Sequence, residues 1–228
     1  MNHSYCFDLV VPSLAIEGRT ERYPVRRIYC VGRNYAEHAR EMGHDPGREA
    51  PFFFQKAFDS LVTDTVLPYP SATESLHHEI EMVVALGSGG RDIPADEALQ
   101  HVFGYAVGLD MTRRDLQARA KAQGRPWSAA KAFDHAAPCS PIVPVDRSGH
   151  PSEGDIGLRI NGQVRQRGDL SDLIWSVPEV IASLSTLFEL KAGDLIFTGT
   201  PSGVGEVARG DRLEGWVHGV GSLMLTVG

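Results

Sequence analysis

The sequence predicts a mainly β (α+β) fold with a few short helices. Its apolar segments are mostly short and are interrupted by glycine, proline and aspartate, with 24 glycines among 228 residues. Asn161 is followed by Gly162, the pair that favours the type I′ turn of a β-hairpin. A chain of this length is expected to form one domain with a full hydrophobic core, with a small N-terminal addition.

The predicted strands are short apolar runs bounded by turn residues. Residues 27–31 are expected to form a strand that breaks at Gly32, and residues 52–54 form a short buried strand. Residues 103–109 are predicted to be a strand that ends at Asp110. Gly193 and Asp194 lead into a strand over residues 195–198, and the end of the chain again has the pattern of strands.

Four segments are predicted to be helical. Residues 35–42 and 96–101 suit short helices, and residues 113–123 suit a longer one that begins after a capping Thr112 and stops at Gly124. The fourth helix begins at a capping box formed by Ser176 and Glu179. Its apolar stripe consists of Val180, Ile181, Leu184, Leu187 and Phe188.

Composition and charge limit the possible classes of function. The formal net charge of −7 argues against nucleic acid and against an anionic membrane as partners. No apolar run is long enough to cross a bilayer, and the N-terminus has no signal-peptide pattern. Three widely spaced cysteines, at positions 6, 30 and 139, fit a reducing compartment. We therefore expect a cytoplasmic protein, and a small anionic substrate would need a local cluster of cations.

The segment 76–86 carries two carboxylates inside an otherwise apolar run. Glu79 and Glu81 stand two residues apart, so in a strand both side chains point to one face. Two like charges beside a core strand are costly unless a cation lies between them. Oxygen donors with no cysteine nearby favour Mg²⁺, Mn²⁺ or Ca²⁺ over zinc. The alternative is a half-exposed strand with a solvated acidic face.

A third carboxylate, Asp110, lies between a predicted strand and a predicted helix. It can complete a metal site with Glu79 and Glu81, or it can simply stabilise the start of the helix. Arg114 and Gln117 follow at spacings of four and three, so they can converge with Asp110 on one face. The competing interpretation is an ordinary charged surface helix. The neighbouring cations interpreted in that way are Arg113, Arg119 and Lys121.

Three further features can carry chemistry. His38 and Glu41 lie three residues apart, and a carboxylate beside an imidazole suits activation of water, although such a pair on an exposed helix is often without a role. Lys131 is a lone cation in apolar surroundings, either paired with an anion or reaching out to solvent. Residues 198–205 form a glycine-rich loop without the Walker lysine, which can bring backbone amides and a threonine hydroxyl to a carboxylate.

Four of these segments together resemble signatures of the fumarylacetoacetate hydrolase family, in the family's order. They are GRNY at 32–35 followed by His38, LHHEIE at 76–81, GLDMTRRDLQ at 108–117 and TGTP at 198–201. The resemblance extends over nearly the whole chain. Within the family, KAFDH at 131–135 and the region 161–201 resemble the small fumarylpyruvate hydrolases and the related acylpyruvases.

The resemblance implies a mixed β-sandwich or β-roll of the family's C-terminal domain type, usually a homodimer. It implies a catalytic domain over residues 27–228, with residues 1–26 as a strand-rich addition packed on it. The implied ligands for Mg²⁺, or for Mn²⁺ or Ca²⁺, are Glu79, Glu81 and Asp110. The implied catalytic residues are His38, Glu41 and Lys131. The implied substrate contacts are Arg33, Lys56, Arg114, Gln117 and Thr200. Many relatives have a proline after the lysine that corresponds to Lys56, where this chain has Ala57.

The function expected from the resemblance is hydrolysis of the C–C bond between the two carbonyls of an acylpyruvate, with fumarylpyruvate giving fumarate and pyruvate. The ion would stabilise the departing pyruvate, His38 oriented by Glu41 would activate water, and Lys131 would stabilise the charge on oxygen. One alternative is a decarboxylase or isomerase that acts on a 2-oxo dicarboxylic acid at the same site. Another is a dimeric binding protein that has the fold without the activity.

Overall fold

Strands dominate the protein in this computed structural model, which describes residues 6–37 and 49–228. The strands are β1 Ser13–Ala15, β2 Arg22–Pro24, β3 Arg27–Gly32, β4 Phe52–Lys56, β5 Leu61–Val62, β6 Val66–Leu67, β7 Leu76–His78, β8 Ile80–Leu86, β9 Val102–Leu109, β10 Thr112–Arg113, β11 Ala137–Pro138, β12 Val143–Pro144, β13 Asp155–Ile160, β14 Gln163–Asp169, β15 Asp194–Phe197, β16 Gly205–Glu206, β17 Arg212–Val217 and β18 Gly221–Val227. The predicted mainly β fold is confirmed.

The helices are short. They are α1 Arg114–Ala122, α2 Ser128–Lys131, α3 Val145–Ser148 and α4 Val177–Leu187, with 3₁₀ turns at Phe58–Ser60, Ala98–His101 and Leu170–Asp172. The helix predicted over residues 96–101 is one of these 3₁₀ turns. The helix predicted over residues 35–42 falls mostly outside the described residues. No helix in the described parts of the chain combines the length and the apolar character needed to span a membrane.

A six-stranded mixed sheet forms the centre, in the order β12-β9-β8-β15-β3-β4. Only β15 and β3 run parallel; the other neighbours are antiparallel. Every residue of β8 is buried. Since side chains alternate along a strand, Met82 and Val84 enter one apolar cluster while Val83 and Ala85 enter another. Both faces of the central sheet are therefore covered, which explains why β8 lacks a polar face.

Each face of the central sheet has its own cover. A five-stranded sheet, in the order β14-β13-β17-β18-β6, packs on one face through residues such as Leu158 and Leu225. The other face is covered in part by the β1–β2 hairpin, which contributes Leu14 and Tyr23. The arrangement is a mixed β-sandwich, as expected. The hairpin lies within residues 1–26, although the division into two domains stays a prediction.

Several local predictions can be compared directly with the structure. The Asn161–Gly162 hairpin is confirmed, because both residues have positive φ, 51° and 80°, and they join the antiparallel strands β13 and β14. The capping box at the start of α4 is also confirmed, with Glu179 accepting the backbone N–H of Ser176 at 2.9 Å.

The prediction that Thr112 caps the following helix is wrong. Thr112 lies in β10, where it pairs with His77, and helix α1 begins at Arg114 without a side-chain cap. Its hydroxyl instead donates to the backbone oxygen of Asp110 at 3.1 Å and accepts from Lys131 Nζ at 2.6 Å. A buried ammonium group nearby provides a stronger partner than the helix terminus, and the local sequence gave no sign of it.

Candidate active site

Three carboxylates meet at one edge of the central sheet. Strand β8 begins just after Glu79, and its antiparallel neighbour β9 ends just before Asp110, so the two chain ends lie side by side. The backbone N–H of Asp110 donates to the backbone oxygen of Glu79 at 2.9 Å. With Glu81, these residues each offer a carboxylate oxygen, and the three oxygens lie within 4.8 Å of one another. All three residues are buried.

Glu79 does not lie inside a continuous strand, as the sequence suggested. The chain leaves β7, part of a small sheet with β10 and β16, and enters β8 of the central sheet at this residue. The break places Glu79 between two sheets, where its side chain can face the same cavity as Glu81. The expected convergence of the two carboxylates is present, but the strict alternation of one strand is not its cause.

Two of the carboxylates are held by a buried lysine and a partly buried arginine. Lys131 Nζ lies 2.7 Å from Glu79 and 2.7 Å from Asp110, and Arg114 lies 2.5 Å from Glu79. Burial alone would lower the pKa of Lys131, but the charges of Asp110 and Glu79 outweigh it and raise that pKa. Of the two interpretations left open for Lys131, the paired one agrees with the structure.

Glu81 differs from its two neighbours because it has no ion-pair partner among the residues that the structure describes. It accepts a hydrogen bond of 2.7 Å from the backbone N–H of Gly199. Burial, followed by the charges of Asp110 and Glu79, raises its pKa well above the usual range. Gly199 can approach this closely because it has a φ of 101° and no side chain.

The donor set fits a hard divalent cation. Asp110 Oδ1 is buried and makes no hydrogen bond with the described residues, although it lies 2.6 Å from Lys56 Nζ. A cation bound here would offset the buried negative charge of Glu81. It would also give the Asp110 oxygen that lacks a hydrogen bond a further partner. The ligands are all carboxylate oxygens, which Mg²⁺, Mn²⁺ and Ca²⁺ accept.

Lys56 is placed differently from the substrate contact expected of it. Its ammonium group is buried and lies against Asp110, where it also donates to the backbone oxygens of Lys131 at 2.6 Å and Met111 at 3.1 Å. It does not line the cavity beside the carboxylates. Lys56 therefore forms an ion pair with Asp110 outside the cavity lining. The sequence pattern around residue 56 did not reveal this arrangement.

The cavity beside the carboxylates is lined by charged and aromatic side chains. Its lining consists of Val31, Gly32, Arg33, Phe52, Phe54, Glu79, Glu81, Asp110, Arg114, Gln117, Lys121, Trp127, Lys131 and Thr200. Most of the predicted site residues are in this set. His38 and Glu41 lie outside the described residues, and they follow shortly after Arg33 in the chain.

Helix α1 presents three of the lining side chains. Arg114 and Gln117 lie together as expected, with Arg114 donating to Gln117 Oε1 at 2.6 Å. Lys121, four residues further on, also faces the cavity, so its interpretation as an ordinary surface charge is wrong. The spacing of three and four residues from Arg114 contains the signal that identifies it. Burial, followed by the charges of Arg114 and Arg33, lowers the pKa of Lys121.

An aromatic wall, formed by Phe52, Phe54 and Trp127, was not predicted from the sequence. The Trp127 ring lies edge-on to Phe52, with centroids 5.3 Å apart, and to Phe54 at 5.9 Å. Lys121 Nζ lies 5.1 Å from the centroid of Trp127, and the Arg33 guanidinium lies 5.6 Å from that of Phe52. Neither cation forms an ion pair with a residue that the structure describes. One side of the cavity thus offers positive charge supported by aromatic rings.

Comparisons with known proteins agree with this fold. The family model for the fumarylacetoacetate (FAA) hydrolase C-terminal domain matches residues 27–228. A fumarylpyruvate hydrolase from Ralstonia sp is 44% identical over 185 residues, covering 81% of this chain and 96% of that protein. The human mitochondrial oxaloacetate tautomerase FAHD1 is 39% identical over 202 residues, covering 89% of this chain and 91% of that protein.

A solved structure is similar over the full length. The crystal structure of fumarylpyruvate hydrolase from Pseudomonas aeruginosa, in complex with Mn²⁺ and pyruvate, has a TM-score of 0.95 and 53% sequence identity. The match covers 99% of each chain. The resemblance noted from four sequence segments is thereby confirmed, and the chain belongs to the fumarylacetoacetate hydrolase family.

Proposed function

We propose that this protein is a divalent-metal-dependent hydrolase that cleaves the C–C bond of an acylpyruvate, with fumarylpyruvate giving fumarate and pyruvate. The observation that carries the proposal is a group of three buried carboxylates at the end of a cavity that also contains the cations Arg33 and Lys121. Within the described part of the chain, Glu81 has no cationic partner and neither cation forms an ion pair. The similarity to two fumarylpyruvate hydrolases supports the same reaction.

In this proposal Glu79, Glu81 and Asp110 hold the ion, with Mg²⁺ expected and Mn²⁺ or Ca²⁺ as alternatives. When bound there, the ion supplies Lewis acidity to the 2-oxo acid end of the substrate, which favours the departure of pyruvate. The Thr200 hydroxyl, which lines the same cavity, would bind the carboxylate of the same end. The similar structure that contains Mn²⁺ and pyruvate supports this assignment.

The cations of the cavity suit a substrate with a second negative charge. Lys131 and Arg114 are occupied by carboxylates of the protein, whereas Arg33 and Lys121 have no such partner among the described residues. A carboxylate at the distal end of the acyl group would face these two cations beside the aromatic wall. This arrangement favours a fumaryl or maleyl group over an uncharged acetyl group.

In this proposal, charge on the acyl oxygen is stabilised by Gln117 and Arg114. Arg114 uses only two of its five N–H donors on Glu79 and Gln117 among the described residues. An ammonium group has three N–H donors, and those of Lys131 already contact Glu79, Asp110 and Thr112. Gln117 accepts from Arg114 through Oε1, which leaves its NH₂ group for the cavity. We therefore assign Lys131 chiefly to holding the carboxylates, and the oxyanion role expected of it passes largely to its neighbours.

The base in this proposal is His38, oriented by Glu41, as the family resemblance implies. His38 takes a proton from water, the hydroxide adds to the distal acyl carbonyl, and the C–C bond breaks to give fumarate. The proton then passes to the methylene carbon of the leaving group, which becomes the methyl of pyruvate.

His38→Gln is expected to lower kcat about 10²- to 10⁴-fold. Mn²⁺ affinity, measured by calorimetry, should stay unchanged; normal turnover would exclude His38 from the mechanism.

A second candidate is an oxaloacetate tautomerase or decarboxylase that uses the same site. The 39% identity to proteins named oxaloacetate tautomerase favours it as an alternative. These reactions also act on a 2-oxo acid but need no attacking water. A homodimer and a cytoplasmic location are further proposals, which rest on the resemblance and on the cysteines, none of which forms a disulfide in the described residues.

The deciding experiment compares kcat/KM for fumarylpyruvate, acetylpyruvate and oxaloacetate, after chelation and after addition of Mg²⁺ or Mn²⁺. We expect metal-dependent release of pyruvate from fumarylpyruvate, with acetylpyruvate slower. Loss of the enol absorbance of oxaloacetate without any cleavage of acylpyruvates would support the tautomerase instead. No binding of either ion at millimolar concentration would favour a protein without catalytic activity.

A further inference from the structure

Gln166 makes an unusual number of contacts for one buried side chain. It lies on β14, is fully buried, and does not line the cavity. Its Oε1 accepts from the backbone N–H of Ile80 at 3.0 Å and from His78 Nδ1 at 2.8 Å. Its Nε2 donates to the backbone oxygen of Pro201 and to Thr200 Oγ1, both at 2.8 Å. One amide thus joins the segment that carries Glu79 to the loop that carries Thr200.

The orientation of this amide is fixed by two backbone groups. A peptide N–H can only donate, so the Gln166 atom next to Ile80 must be the oxygen. A peptide carbonyl can only accept, so the atom next to Pro201 must be the nitrogen. The two requirements agree, and they leave no freedom for the amide to flip.

The fixed orientation of the Gln166 amide determines how the Thr200 hydroxyl can hydrogen-bond. Because Gln166 donates to Thr200 Oγ1, the hydroxyl already acts as an acceptor on its protein side. Its single proton has no acceptor among the residues that the structure describes, and the side chain lines the cavity. The proton is therefore directed to whatever oxygen a ligand places there. A hydroxyl without such a partner could rotate and either donate or accept.

We propose that Gln166 is a positioning residue that fixes Thr200 as a hydrogen-bond donor, so that this part of the cavity selects a ligand oxygen that can only accept, such as a carboxylate. The inference rests on the proposed function, which supplies a 2-oxo acid as the ligand. Gln166 itself does not line the cavity, so it acts on the ligand through Thr200. We therefore expect Gln166 and Thr200 to act as one unit.

A double-mutant cycle tests this unit. The variants are Gln166→Met, which removes the amide at similar volume, Thr200→Val, which removes the hydroxyl, and the double variant. Thr200→Ser is the matched control, since it keeps the hydroxyl. Pyruvate is titrated into the Mn²⁺-loaded protein by calorimetry, and Mn²⁺ affinity is measured separately because Gln166 also contacts both neighbours of Glu79.

Each single change is expected to weaken pyruvate binding about 10- to 100-fold, as for the loss of a hydrogen bond to a charged group. The double variant should be no weaker than Thr200→Val, because without the hydroxyl the amide has nothing left to orient. Thr200→Ser, which keeps the hydroxyl, should recover most of the pyruvate binding that Thr200→Val loses. If Gln166→Met does not fold, Gln166→Glu takes its place, since it keeps the acceptor for Ile80 and His78.

Additive losses in the double variant would overturn the proposal, because they would mean that Gln166 acts on pyruvate by a route other than the hydroxyl. Unchanged pyruvate binding in Thr200→Val would overturn it as well. Failure of the proposed function gives a different result: the unaltered protein would then bind no pyruvate with Mn²⁺ present. That result would remove the ligand and the inference together.

Discussion

At the scale of single residues, the buried carboxylate of Glu81 lowers the stability of the protein when it is charged and no cation is bound. A buried carboxylate beside two others has a raised pKa, so its charged form is less favourable in the folded protein than in the unfolded chain. The metal-free protein therefore loses stability as pH rises through that raised pKa. The Gly199 N–H stabilises the carboxylate only partly. A bound cation would remove the remaining penalty.

Glu81→Gln should therefore make the metal-free protein more stable while abolishing metal binding. The amide keeps an acceptor for Gly199 but removes the buried charge, and changes of this kind commonly raise stability by about 0.5–2 kcal/mol. Thermal unfolding with a chelator and Mn²⁺ calorimetry would measure the two effects. Glu97→Gln, on an exposed turn, is the matched control and should change neither. A Glu81→Gln protein that still binds Mn²⁺ normally would contradict the ligand assignment.

A variant of Lys121 tests the proposed preference for a charged acyl group. The lysine's ammonium group lines the cavity and packs on Trp127 without an ion-pair partner among the described residues. Lys121→Met should lower kcat/KM for fumarylpyruvate about 5- to 30-fold, allowing for partial solvent screening. Acetylpyruvate, which has no distal carboxylate, should be nearly unaffected.

The control for Lys121 is Arg119→Met, which removes a charge from the same helix at an exposed position. It should leave the ratio of the two substrates unchanged. Equal losses for fumarylpyruvate and acetylpyruvate in Lys121→Met would mean that the lysine does not recognise the distal carboxylate.

At the scale of elements, the sequence correctly predicted turns and helix starts that depend on neighbouring residues alone. The Asn161–Gly162 turn and the capping box of α4 depend only on neighbouring residues, and both are present. Thr112 also carries a helix-start signal, but the buried ammonium of Lys131, nineteen residues away, takes its hydroxyl. Tertiary contacts override a local preference of this kind.

The difference between local signals and tertiary contacts also explains which residues of the site could be predicted from the sequence. The carboxylates could be found because paired acids in an apolar strand are chemically costly wherever they occur. The aromatic wall could not, because Phe52 and Trp127 meet only when β4 lies against the turn before α2. Gln166 was also missed, since its partners are 34 to 88 residues away in the chain.

The capping box gives a prediction at this scale. Glu179 accepts from both the N–H and the hydroxyl of Ser176, at the start of a helix whose apolar face packs on the main core. Glu179→Ala should cost about 1 kcal/mol, which corresponds to a fall in Tm of about 2–4 °C for a protein of this size. Calorimetry would measure the shift, while kcat should not change because no residue of α4 lines the cavity. Glu97→Ala, away from any capping box, should leave Tm unchanged.

At the scale of the whole molecule, the cavity contains a cluster of cations although the chain as a whole is acidic. The chain carries a formal charge of −7 at pH 7, yet the cavity brings four cationic side chains beside its three carboxylates. The four are Arg33, Arg114, Lys121 and Lys131. The net charge of the whole chain therefore does not predict the charge of its ligand. A local field of this kind attracts anions even when the distant surface repels them.

Metal binding should also be visible as stability of the entire fold. The three carboxylates lie at the ends of β8 and β9, two neighbouring inner strands of the central sheet, and they are brought together only when that sheet forms. An ion that binds the folded state alone stabilises it by about 2.7 kcal/mol at a hundred times its Kd. For a chain of this length that corresponds to a rise in Tm of about 5–10 °C.

Scanning calorimetry with chelator and with saturating Mn²⁺ measures this rise directly. The shift should be present in the unaltered protein and in His38→Gln, whose changed residue lies outside the proposed ligand set. It should be lost in Glu81→Gln, even though that variant begins from a higher metal-free Tm. Because metal binding and charge removal relieve the same repulsion, their effects on stability should not add. Equal Tm values with chelator and with Mn²⁺ in the unaltered protein would mean that the carboxylates are neutralised by Lys56, Lys131 and Arg114 alone.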